Sequence, residues 1–117
     1  ILTEIDLSGK NLTGASLIRV DLSGMDLTGT ILTDANLTGA NLSGTILTNA
    51  DLTGVNLSGA KLIGVDLSGM DLTGATFVGA NLITVDLTNT ILTDANLENV
   101  ILSDTTLNCV GHPICVN

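Results

Sequence analysis

Apolar residues recur along this chain at a spacing of five. Leu occupies position 2 and every fifth position to Leu107, with Phe77 the one substitution, so 22 centres stand in register and 21 of them are Leu. A period of five fits neither a helix, where leucines 500° apart scatter around the axis, nor a strand, where they alternate between faces. The chain must turn once per unit so that every leucine points to one shared axis. The expectation is an all-β solenoid with no α-helix over residues 1–108, and with Phe77 buried among the leucines.

The other positions of the unit follow the same logic. The residue two before the centre is small or apolar in most units, as in Ala35, Ala40, Val55, Ala60 and Ala75, and also points inward. The residue just before the centre is mostly Asp or Asn and points outward. Of 13 glycines, 12 lie two after the centre, where a tight turn calls for positive φ. Asn49, Asn89, Asn99, Asp34, Asp94 and Asp104 fill that slot as the next most tolerant residues. Glu4, Arg19 and Thr84 depart from it. Met25 and Met70 occupy inward positions and read as core fillers. Lys10 does too, and its amine is expected to reach water from the end of the cylinder.

Units such as Ala35-Asn36-Leu37-Thr38-Gly39 and Ala50-Asp51-Leu52-Thr53-Gly54 resemble the pentapeptide repeat family, whose pattern is A(D/N)LXX. The resemblance covers residues 1 to about 108. It implies a right-handed quadrilateral β-helix with four units per coil, and hence about five and a half coils for 22 centres. It also implies a cyanobacterial-type protein and, for most members, no known biochemical activity. One branch of the family mimics DNA and protects gyrase from quinolones.

With four units per coil, residues 20 apart stack at roughly 4.8 Å, giving a rod on the order of 25 Å tall. One outward column then holds Asp6, Asp26, Asp66 and Asp86, interrupted by Ile46, and the next face adds Asp51 and Asp71. Such carboxylates bond readily to neighbouring turn groups; an electrostatic contact surface is the alternative. A second candidate surface gathers Ile63, Ile83 and Ile101 on one face, beside Lys61 and Asn81. An unbroken column of Thr13, Thr33, Thr53, Thr73 and Thr93 is similar to the threonine ladders of ice-binding solenoids, although threonine is also simply favoured on exposed strands.

The repeat ends at the C-terminus, where His112 stands in place of the next leucine. Two regions are therefore expected: a β-helix over 1–108 and a cap over 109–117. An open solenoid end must be covered, and a Cys109–Cys115 disulfide around Pro113 would pin a covering loop, with Val110, Ile114 or Val116 over the last leucine. The rivals are a metal held by Cys109, His112 and Cys115 with Asp104 as a fourth ligand, and free thiols. The compact spacing disfavours metal. A disulfide favours the periplasm or thylakoid lumen, with the cytoplasm still open. Ile1 begins within a repeat, as in a mature secreted form or a trimmed chain, and leaves the N-terminal mouth bare, covered by further residues or buried in a partner.

Charge and inventory bound the function. The net charge is −9 with only Lys10, Arg19 and Lys61 as strong bases, and Phe77 is the sole aromatic, which argues against nucleic-acid binding. No run approaches 18 apolar residues, which argues against membrane insertion. His112 is the only histidine, and Ser and Thr have no base to activate them, so neither an enzyme nor a cofactor site is expected. A packed leucine core is expected to leave no lumen for a ligand, and the exposed flat column of carboxylates no desolvated cleft. The favoured function is a structural or protein-interaction module with an unknown protein partner, and self-association end to end or face to face is the other contact such a rod permits. The alternative is a DNA mimic of the gyrase-protecting kind. Duplex charge density asks for about 15 charges over such a rod, more than this chain carries.

Overall fold

A computed structural model describes residues 5–116. Leu2 and Glu4 fall outside them. No α-helix occurs among the described residues, and the chain winds as a β-helix in which most outward residues pair, in parallel, with the residue 20 positions on. Four ladders result. The first runs Asp21, Asn41, Lys61, Asn81, Ile101, and the second contains Asp26, Ile46, Asp66, Asp86 and Thr106. The third contains Asn11, Ile31, Asp51, Asp71, Ile91 and Val110, and the fourth runs Ser16, Asn36, Asn56, Thr76, Asn96.

The unit's grammar explains the winding. From Leu7 to Leu102 the amide three after the centre donates to the centre's carbonyl, as from Ala40 to Leu37 at 2.9 Å and from Val65 to Leu62 at 3.0 Å. A turn closed in this way requires positive φ at its third residue. Glycine supplies it in most units, and Asn and Asp supply it elsewhere. Arg19 and Thr84 adopt it as well, at φ 61° and 59°. Thr84 is the costlier of the two, because a β-branched side chain is strained there.

The leucines from Leu22 to Leu97 are buried, with Phe77 at 0% exposure among them. Inward threonines are tolerated because their hydroxyls find carbonyls. Thr30 donates to Leu7, Thr90 to Leu67 and Thr105 to Leu82, each across one winding. Leu7, Leu12 and Leu17 are only half-buried, and Lys10 is exposed at this end, as its position in the first coil demands.

The ladder runs past the expected boundary at residue 108. One residue is skipped, so that Val110 pairs with Ile91, 19 positions back, and exchanges backbone bonds with Leu92 and Thr90. The chain then reverses at His112–Cys115, closed by the Cys115 amide on the His112 carbonyl at 3.0 Å, with Pro113 at the position whose φ it pre-sets. The Val116 amide returns to the Leu107 carbonyl at 2.7 Å. Of the three residues expected to cover the last leucine, Ile114 packs against the core, whereas Val110 and Val116 are 53% and 67% exposed.

The molecule measures 39 × 22 × 20 Å, longer than the ~25 Å that evenly stacked windings would give. Ladder rungs alone account for the shorter figure. The C-terminal loop lies beyond the last rung, Ile91 to Val110, and outside that count.

Candidate functional site

The outward carboxylates are engaged locally. Asp26 Oδ1 accepts the Thr28 amide at 3.0 Å and its hydroxyl at 2.5 Å, and Asp86 holds Thr88 in the same way at 2.9 and 2.6 Å. Asp6 and Asp66 accept the amides of Ser8 and Ser68, each at 2.9 Å. This is the side-chain mimic of a backbone turn, repeated up the rod. It holds the carboxyls of Asp6, Asp21, Asp26, Asp71 and Asp86 below their ordinary range, the Ser or Thr hydroxyl first and the backbone amide second. Asp51 is lowered first by the Thr53 amide and then by hydroxyls, including that of Thr33 one winding away. The Asp column thus stabilises turns as well as carrying charge.

Ile63, Ile83 and Ile101 share a side but not a column. Ile101 stacks on Asn81 in the first ladder, and Ile83 lies over Ile63 on the other flank of that ladder. Ile63 and Ile101 are exposed, while Ile83 is half-buried. The pattern makes a broken patch rather than an apolar stripe.

At the C-terminal end Cys109 and Cys115 are bonded, with sulfurs 2.12 Å and Cα atoms 4.9 Å apart. Neither sulfur is then a thiolate that could ligate a metal. The His112 ring also turns inward on its own loop, Nδ1 accepting the Ile114 amide at 3.2 Å. Gly111 completes the fit at φ 88°, since a Cβ there would lie 2.5 Å from Thr93 Oγ1 and 3.0 Å from the Thr93 nitrogen.

One feature contradicts the expectation of a rod without a cleft. The second ladder has no rung between Ile46 and Asp66, and the third none between Asp51 and Asp71, among the described residues. The amides of Leu47, Asn49 and Leu52 correspond to those of Leu27, Gly29 and Leu32, which bond to Ile46, Thr48 and Asp51 at 2.8 Å each. They make no such bond, and nor do the amides of Asp66 and Asp71. The windings rejoin on either side, through Leu42 to Lys61 at 2.7 Å and Gly54 to Thr73 at 3.3 Å. Between these points lies a cleft of about 640 Å³ lined by Thr45, Ile46, Ala50, Asp66, Met70 and Asp71, among others. It is a slot between windings, and the leucine core beneath it stays closed, with Leu47 and Leu52 buried.

Sequence reasoning missed this slot, although its signals were present. Ile46 interrupts an Asp column, Asp51 and Asp71 set like charges on neighbouring windings, and the inward residues there, Thr45, Ala50 and Met70, differ widely in size. The model of the pentapeptide repeats family matches residues 2–34, 30–69 and 71–104, in 8 copies. The chain belongs to the pentapeptide repeat family. Its β-helix is therefore the right-handed one, and the chain is a structural repeat module.

Among solved structures, the pentapeptide repeat protein Rfr23 of the cyanobacterium Cyanothece 51142 is 34% identical. The match covers 90% of each chain, with a TM-score of 0.48. A pentapeptide repeat protein of the Arabidopsis thaliana thylakoid lumen is 37% identical over 76% of this chain and 69% of its own, with a TM-score of 0.32. The plasmid-mediated fluoroquinolone resistance protein QnrB1 is 18% identical over 81% of this chain and 58% of its own, with a TM-score of 0.46. No curated protein sequence matches the chain.

Proposed function

We propose that this pentapeptide repeat chain is a non-enzymatic protein-interaction module, a quadrilateral β-helix of about five and a half coils that docks a protein partner on its outer sides. The observation carrying this reading is that the outward carboxylates are bonded into their own turns, which leaves stiff, regularly spaced sides carrying shape and charge but no activated nucleophile or base. The contact surface combines the Asp6, Asp26, Asp66, Asp86 column with Ile63 and Ile101. Three strong bases in a chain of net charge −9 make nucleic acid a poor partner. The Cys109–Cys115 bond favours an oxidising compartment, periplasm or thylakoid lumen. The cap over residues 109–117 protects the last winding from end-to-end association.

Pull-down from native host extract tests the proposal, with wild-type chain compared against an Ile63→Ser/Ile83→Ser/Ile101→Ser variant and an Asp66→Lys/Asp86→Lys variant. A specific partner lost in either variant supports docking at that surface. Identical capture by all three sinks it. Protection of gyrase supercoiling in the presence of a quinolone would select the DNA-mimic reading instead.

A further inference from the structure

We propose that the slot between residues 44–52 and 64–71 accepts an extended segment of a partner protein as an added β-strand, and that this segment alternates basic and apolar residues. The inference rests on the reading of the chain as an interaction module and names one site for it. Along the first ladder from Asp21 to Ile101 and the fourth from Ser16 to Asn96 every rung is formed, as in a continuous sheet. At the slot the amides of Leu47, Asn49 and Leu52 on one lip, and of Asp66 and Asp71 on the other, have no backbone partner among the described residues. Both lips therefore present strand edges, and they face each other. An edge of this kind is a template for strand addition. A cleft of about 640 Å³ suits a short peptide segment rather than a domain.

The chemistry of the occupant follows from the lining. Residues of an added strand alternate between the two faces of the sheet. One set would lie over the floor, where Leu47 is buried and Met70 half-buried against the core, and apolar side chains suit it. The other set would stand outward beside Asp51, Asp66 and Asp71. No Lys or Arg lines the slot, so Lys or Arg on the incoming strand would complement these carboxylates.

The test is amide exchange on the full chain, read residue by residue, with and without the peptide acetyl-Lys-Val-Lys-Val-Lys-amide. In the free chain the amides of Leu47, Asn49, Leu52, Asp66 and Asp71 should exchange at least tenfold faster than their counterparts Leu27, Gly29, Leu32, Asp86 and Ile91. The peptide should slow that set and leave the counterparts unchanged. The same peptide N-methylated at both valines keeps its charge but loses two strand donors, and should bind at least tenfold more weakly. An Asp66→Asn/Asp71→Asn variant keeps the turn acceptors and should weaken the unmethylated peptide severalfold. Equal protection of the two amide sets in the free chain would overturn the proposal, as would equal binding of both peptides or no slowing on addition. A host partner lost in the isoleucine variant while the slot amides stay unprotected would reject the slot and keep the outer-side reading.

Discussion

The first and fourth ladders run without a gap from Asp21 to Ile101 and from Ser16 to Asn96, whereas the second and third part between Ile46 and Asp66 and between Asp51 and Asp71. The inward residues of the two continuous sides are all small. They are Val20, Ala40, Ala60, Ala80 and Val100 on one, and Ala15, Ala35, Val55, Ala75 and Ala95 on the other. Repeated small side chains stack at one spacing, and each winding settles on the last. The parted sides carry Met25, Thr45, Val65 and Val85, and Lys10, Thr30, Ala50, Met70 and Thr90. Met70 and Ala50, one winding apart, differ by a whole side-chain stem. Their outer positions add like charge, since Asp51 works against the ionised form of Asp71. Like charge alone does not open a ladder, because Asp66 and Asp86 remain paired. Size mismatch between one pair of inward residues does not open a ladder either, because rungs form over Met25 and Thr45 and over Met70 and Thr90; the two sides that are continuous throughout are those whose inward residues are Ala or Val in every winding.

The largest effect should come from the core shared by both sides. Leu57→Asp on the continuous fourth side and Leu52→Asp beside the slot each bury an unpaired charge and should cost several kcal/mol, about 3 or more, measured by denaturant unfolding. Equal cost at both would show that the core is as tight under the slot as elsewhere.

Overpacking separates the sides more sharply. Ala60, fully buried on a continuous side, has no room to give, so Ala60→Leu should destabilise by about 1–3 kcal/mol. Ala50 is half-buried at the slot, and Ala50→Leu should cost about 1 kcal/mol or less. Similar losses for the two would remove the distinction drawn between the sides.

Reduction of the Cys109–Cys115 bond should cost about 2 kcal/mol on the loop-closure model. The loss should appear first as faster amide exchange at Leu92 and Val110, which join the last rung of a parted side, and later at Leu57. Intact mass with thiol alkylation of the unreduced protein should show no alkylated cysteine.

Thr84→Gly should stabilise the chain by about 1 kcal/mol, because it relieves a β-branched residue at φ 59° on the first side. A loss of stability would mean that the Thr84 hydroxyl bond to the Ile83 carbonyl outweighs the backbone strain.

The smallest effect is that of pH. Carboxyls lowered in the folded state contribute stability that is fully present above their unfolded value, near 3.8, and is lost as pH falls through the depressed folded values. Stability should therefore decline below about pH 4. Asp26→Asn and Asp86→Asn, which keep an acceptor for Thr28 and Thr88, should flatten that decline. A curve unchanged by both substitutions would leave those turn bonds without a thermodynamic role.

The sequence by itself determined the winding. Five-residue spacing of Leu2 to Leu107 admits only a chain that turns once per unit, and Gly, Asn or Asp at the turn slot marks where it turns. The inward place of Phe77, the outward place of Asp26 and Asp86, and the pairing of Cys109 with Cys115 were legible because each depends on position within one unit or on a few neighbouring residues. The tertiary structure alone decided what depends on the fit between residues 20 apart. It parted the windings at Ile46 and Asp51, half-buried Ile83, and skipped one residue so that Val110 could extend the third ladder to Ile91. The physical reason is that a ladder rung joins residues 20 apart and depends on both windings at once: the same Met70 stands opposite Ala50 at a parted rung and opposite Thr90 at a closed one.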